Sequence, residues 1–299
     1  MMLKQIFRLC LLCLLALFAT TEAVANSGWE ISLKEKDQTG SFVYTLYYPY
    51  SSQIISKVSL AQNQPLRIVD LKYNFKNEKD FVSLRYGGTR AEIKGKGSDS
   101  DWTIEGFDIL TDYGVVDVYG GQKLAAIDVG TVLTENELRK VKILFGWVWN
   151  ETTNELRNVV YQLIDGVEVG DETQPDNGSY LNGKSSGLVI GINQDLSVRP
   201  NLIFTTGLNV SLLNTRAYGH WANHTPAWNW EDTGRTVGYG ASLGLKYIFS
   251  SNVQAELGYY YNYAKSSGCK ETLNGDLLAQ LVDLEYESKG LRAGLIILF

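Results

Sequence analysis

The chain has 299 residues and a formal net charge of −6, from 27 basic and 33 acidic side chains. That acidic balance argues against a nucleic-acid partner bound through its phosphates. No apolar run beyond residue 25 approaches the roughly 20 residues of a membrane helix.

In chain order, the first signal is an export sequence. Lys4 and Arg8 form a basic start, Leu9 to Phe18 an apolar stretch, and Ala23-Val24-Ala25 a small-x-small cleavage site. Residues 1–25 therefore read as a cleaved signal peptide, and residues 26–299 as one domain. Cys10 and Cys13 fall inside the apolar stretch, leaving Cys269 as the one cysteine of the exported part, so an internal disulfide is excluded.

Further along, apolar residues recur with period two, the spacing of one face of a strand. Leu202 to Leu212 places Leu202, Phe204, Leu208, Val210 and Leu212 on one side. Val237 to Phe249 does so with Val237, Tyr239, Ala241, Leu243, Leu245, Tyr247 and Phe249, against Gly238, Gly240, Ser242 and Gly244. Val141 to Trp149 and Val253 to Tyr263 repeat the pattern, with aromatics gathered near segment ends as in an interfacial girdle. The final stretch, Leu291 to Phe299, alternates in the same way and stops on an aromatic. It resembles the closing strand of an outer-membrane barrel, the signal read by the barrel assembly machinery. Ten strands are expected, near 29–48, 54–75, 81–94, 107–133, 141–162, 184–194, 200–216, 234–249, 253–266 and 283–299. Short connections alternate with long ones, as in barrels with tight periplasmic turns and long outer loops. The fold class is all-β: a ten-stranded antiparallel transmembrane up-and-down β-barrel extending above the membrane, located in the cell outer membrane. The inward row of the eighth strand is rich in glycine and poor in charge, so the lumen is expected to hold few charges.

Two of the expected outer loops carry candidate chemistry. The first holds Gly97-Ser98-Asp99-Ser100-Asp101-Trp102. The second, Ala217 to Asp232, holds both histidines of the chain, His220 and His224, among Trp221, Trp228 and Trp230. A third, Asp165 to Gly183, is acidic without the spacing of a Ca²⁺ loop. Cys269 is placed in the last outer loop as a free thiol. No cofactor motif is present. Asp99, Asp101, His220 and His224 lack the tight spacing of a metal site.

Asp-x-Asp-Trp in this position resembles the omptin family of outer-membrane endopeptidases. The correspondence extends over most of the exported chain in strand number, length and loop order. Protochlamydia-type outer-membrane proteins, regarded as porins, share that architecture. The omptin resemblance implies an acid pair on one wall of an extracellular groove, here Asp99 and Asp101. It also implies an Asp-x-His pair opposite, with a water between that the histidine deprotonates. Two close carboxyls cannot both ionise easily, so one would keep a proton for the leaving group. The sequence departs from the family on the second wall. The residues two before the histidines are Tyr218 and Ala222, neither of which supplies an orienting carboxylate. Glu231 and Asp232 lie further along, where folding back could bring a carboxylate near. The expected role is therefore a non-catalytic surface barrel, in envelope integrity, adhesion or limited permeation. The alternative is an omptin-like endopeptidase using the Asp pair and a His-activated water. Expected partners are outer-membrane lipid or lipopolysaccharide, the assembly machinery, and a peptide or surface ligand.

Overall fold

The computed structural model describes residues 28–63, 65–75, 79–90, 92–103, 109–173, 178–222 and 227–299. The expected signal peptide and His224 lie outside them. Thirteen strands are present: β1 (Trp29–Tyr47), β2 (Ile54–Asn63), β3 (Leu66–Asn74), β4 (Asp80–Thr89), β5 (Ile93–Trp102), β6 (Leu110–Glu135), β7 (Arg139–Ile164), β8 (Val167–Thr173), β9 (Tyr180–Arg199), β10 (Leu202–Trp221), β11 (Trp228–Ile248), β12 (Val253–Leu273) and β13 (Asp276–Leu298). They make a closed antiparallel ring of ten walls. β2 and β3 are the upper and lower halves of one wall, because both pair with β1. β5 and β4 are likewise halves of the next, both pairing with β6. β8 folds back on β7 as a short outer flap.

The last strand closes the ring as the alternation predicts. β13 pairs with β1 along its length, from Glu30↔Leu298 to Tyr47↔Leu281, and the Phe299 amide donates to the Trp29 carbonyl at 3.0 Å. Closure pairs both edges of the ten walls, as a lipid-embedded sheet requires, and among the described residues the free edge is that of the outer flap β8. The outer face carries the expected apolar belt, with Leu208, Val210 and Leu212 on β10, Leu243 and Leu245 on β11, and Leu291 and Leu295 on β13 all exposed. Aromatic contacts mark its lower rim: Trp29–Tyr73 at 4.9 Å, Tyr73–Phe75 at 5.4 Å and Tyr247–Phe249 at 4.9 Å between ring centroids.

The interior is layered. At belt height, ion pairs between neighbouring walls line a cavity of about 530 Å³. Lys34 Nζ lies 2.7 Å from Asp70, Arg85 Nε 2.8 Å from the same carboxylate, and Lys142 Nζ 2.7 Å from Asp195. This corrects the expectation of few lumen charges. The eighth wall, β11, is indeed glycine-rich inside, but β1, β3, β4, β6, β7, β9, β12 and β13 supply charged side chains, and β11 itself adds Lys246. A layer of buried amides and phenols lies above: Gln38 Nε2 donates to Gln122 Oε1 at 3.0 Å, Gln122 Nε2 to the Tyr286 hydroxyl at 3.3 Å, and Gln62 meets Asn154. Higher still an apolar core fills the barrel. Its buried members include Leu60, Val118, Leu156, Leu181, Val282 and Leu284, with Phe42 and Trp230 packed against it.

The strands run higher than the sequence suggests. β5 continues through Trp102, β10 through Trp221, and β12 and β13 meet at a tight turn, with φ of 50° at Asn274 and 95° at Gly275. Positive φ at both central residues is the signature of a type I′ hairpin. Three expected loops are therefore strand. Above the membrane the outer face is wet, so apolar alternation fades while the hydrogen-bonded ladder persists.

Candidate functional site

Asp99 and Asp101 lie on β5, not in a loop. The ladder fixes their direction: Asp99 is opposite Val58 of β2 and Gly114 of β6, and Asp101 is opposite Ser56 and Asp112. Directly opposed residues share a face, and Val58 is buried in the core, so both carboxyls point inward. Between them and the polar layer, Gly97 is required. A Cβ there would run into the side chains of Leu60 and Val116.

Asp99 Oδ1 is buried with no hydrogen-bond partner among the described residues. Burial first, then the adjacent Asp101 charge, push its carboxyl well above the ordinary carboxylate range. Burial and Asp112 raise Asp101 as well, while a hydrogen bond from Ser56 opposes the shift. The pair therefore favours holding a proton, as the sequence anticipates for one of two neighbouring acids.

The histidine does not join them. The β10–β11 ladder runs without a register shift from Leu202↔Tyr247 to Trp221↔Trp228, so parity is preserved along the whole strand. Leu208, Val210 and Leu212 face lipid, and His220 shares their parity. Ala217 and Trp221, of opposite parity, are 0% and 9% exposed inside. His220 thus sits on the outer wall. It stacks on Tyr180 at 5.7 Å between ring centroids, and its Nδ1 is hydrogen-bonded to the Asn229 side-chain oxygen at 2.7 Å. The arrangement with His220 facing Asp99 and Asp101 across a groove is corrected on this point, since the barrel wall stands between them.

What the interior offers opposite the Asp pair is two more carboxyls. Asp232 on β11 is fully buried, paired in register with Ala217 and Glu271, and both its oxygens lack a partner among the described residues. Burial, then the Glu271 and Glu231 charges, raise its pKa to about 8. Glu271 is 4% exposed and accepts a hydrogen bond from the Tyr44 hydroxyl at 2.9 Å. Its own pKa is raised by burial and partly offset by that bond. Tyr44 stands between the two acid groups. Its phenol is held well above its usual range by burial and by Glu271, Asp232 and Asp99. Trp230 covers it at 5.2 Å between ring centroids, and Trp230 in turn lies where any side chain on Gly219 would be. The sequence flags Asp232 only as a residue that could fold back, although its parity with Gly238 and Gly240 already points it inward. Glu271 was not signalled. The β12 ladder slips between Ser266 and Cys269, and that bulge turns odd-numbered residues inward above it. The same slip buries Cys269 at 0% exposure, with Sγ 2.9 Å from Ser266 Oγ, and so corrects its placement in a loop. Among the described residues, no group of three or more His, Cys, Asp or Glu is arranged to hold a metal ion.

No protein-family model matches this chain, and no curated protein matches it in sequence. Among solved structures it is similar to the outer membrane protease OmpT from Escherichia coli, at a TM-score of 0.81 and 12% identity over 92% of this chain and 97% of that one. It also matches the translocator domain of the autotransporter NalP from Neisseria meningitidis, at 11% identity over 99% and 98% of the two chains and a TM-score of 0.40. The fold is that of an outer-membrane β-barrel, and it is shared with the omptin OmpT. At this identity the likeness extends to fold alone.

Proposed function

We propose that the chain is a non-catalytic surface barrel of the outer membrane, acting through the part that projects above the lipid belt. The observation that carries this reading is the position of His220. A general base must reach the water it deprotonates, and this imidazole is on the far side of the wall from Asp99 and Asp101. Its hydrogen-bonded partner among the described residues is the side-chain amide of Asn229, which supplies no charge. OmpT is a protease, and the Asp pair, whose burial and mutual charge favour the protonated form, is the feature on the side of hydrolysis here. Among the described residues no histidine faces the pair, and His224 lies outside them.

Closure of the lumen from above supports a structural role over permeation. Ion pairs line a cavity in the lowest layer, buried amides and phenols bridge the next, and the apolar core closes the third. Contact with outer-leaflet lipid or lipopolysaccharide is supported by one row of side chains directly above the belt. In register around the outer face run Glu35, Arg67, Gly88, Lys123, Glu151, Lys184 and Arg216. Basic side chains just above an apolar belt attract anionic lipid headgroups.

The test is the barrel refolded with lipopolysaccharide, presented with a mixed peptide library and in parallel inserted into planar bilayers. The expected result is neither cleavage nor conductance steps. Cleavage that disappears in Asp99→Ala would overturn the reading in favour of the endopeptidase.

A further inference from the structure

The lumen network at belt height is unevenly paired. Lys34, Lys36, Arg85 and Arg292 face Asp70, Asp128 and Glu256. Every one of these acids is already engaged: Asp70 by Lys34 and Arg85, Asp128 by Arg85 at 3.7 Å, and Glu256 by Lys34 at 3.5 Å and Arg292 at 3.3 Å. Lys36 is left over. Its ammonium meets no carboxylate within 4 Å among the described residues and lies instead over the Tyr260 ring, 4.1 Å from the centroid. The ladder makes its position costlier, because Lys36 on β1 is directly opposite Arg292 on β13. Like charges directly opposed across strands destabilise a sheet. A cation on a ring face recovers only part of the hydration it loses. Both side chains line the cavity of about 530 Å³, a size ordinary for small-molecule sites.

We infer that Lys36 and Arg292 together hold a small oxyanion, phosphate- or carboxylate-sized, in the lumen cavity. One such anion between the opposed cations turns a repulsive pair into two charge-assisted hydrogen bonds. It also balances the local charge, four basic groups against three acids. The arginine fork supplies planar recognition of the oxyanion, and the lysine adds a point charge. This site is independent of the surface role proposed above, since it lies below the polar layer and touches none of the upper acids.

The experiment uses the full barrel refolded in detergent with inorganic phosphate or acetate at constant ionic strength, reading the thermal unfolding midpoint against probe concentration. A saturable rise is expected with at least one probe. In Lys36→Met the apparent affinity should fall about tenfold or more, the loss of one charged hydrogen bond. Lys289→Met, on the outer face beside Glu287, should bind as the parent does. If Lys36→Met fails to refold, Arg292→Gln provides the same comparison. No saturable shift with either probe, or an equal shift in the parent and the Lys36 variant, overturns the inference.

Discussion

The lower and upper halves of the barrel interior solve the same problem in opposite ways. Both bury acids. In the lower half each is met by a base: Asp70, 8% exposed, receives Lys34, Arg85 and the Ser32 hydroxyl at 3.2 Å. In the upper half Asp99, Asp232 and Glu271 have no base within ion-pairing distance among the described residues, and apolar side chains surround them. Charges kept in a low-dielectric interior must be paired, or else neutralised by proton uptake. The lower half takes the first course and the upper half the second. A barrel wall thus encloses an ionic region at membrane height beneath a protonated one.

The largest expected effect comes from breaking the lower network. Asp70→Ala leaves Lys34 and Arg85 with only their longer contacts to Glu256 and Asp128, and removing one partner of a buried pair typically costs about 3–5 kcal/mol. Urea unfolding of the barrel in lipid vesicles should show that loss. A cost below about 1 kcal/mol, the worth of an exposed pair, would mean that water screens the lumen and that the two halves do not differ as described.

Next comes the pH response of the upper half. The folded-state pKa of Asp232 is raised to about 8 from the usual 3.8, so between those values the folded state binds more protons than the unfolded one. Stability from this region is therefore complete below about pH 4 and is lost progressively until the pH has risen through about 8. Asp99 and Glu271, shifted in the same direction, add to the slope. Hydrogen exchange at the upper ends of β11 and β12 should accelerate, beyond its intrinsic pH dependence, across that window. Asp232→Asn, neutral at every pH, should flatten part of the response. An Asn variant with the parent's full slope would assign the titration to other groups.

The ten walls were legible because lipid imposes alternation on the outer face, and the stretch Leu291 to Phe299, which resembles a closing strand, does pair with β1. What failed was height. Segments such as Lys94–Trp102 are rich in glycine, serine and acid, and their composition imitates a loop. Strand character there comes from neighbours, Leu60 and Val116 closing over Gly97, and a single chain carries no mark of that. The Asp-x-Asp-Trp resemblance singles out Asp99 and Asp101, and the ladder makes them neighbours on one face. His220 was misplaced although the needed information was present. Counting by twos from Leu212 reaches it and puts it outside. Glu271 was beyond such counting, because the slip between Ser266 and Cys269 reverses parity and nothing in Ser-Ser-Gly-Cys announces where it occurs.

The smallest effect is the sharpest control. His220→Ala removes a ring that stacks on Tyr180 and bonds Asn229 on the outer wall, away from the interior acids. Exposed substitutions of this kind shift stability by about 0.5 kcal/mol or less. Because the wall separates His220 from Asp232, Glu271 and Asp99, the pH slope of hydrogen exchange in β11 and β12 should match the parent's. That outcome removes His220 as the source of the slope and, together with a flattened slope in Asp232→Asn, assigns it to carboxyls. A slope that collapses in His220→Ala would instead couple the imidazole to the interior. The division between an ionic lower half and a protonated upper half would then no longer account for the pH response.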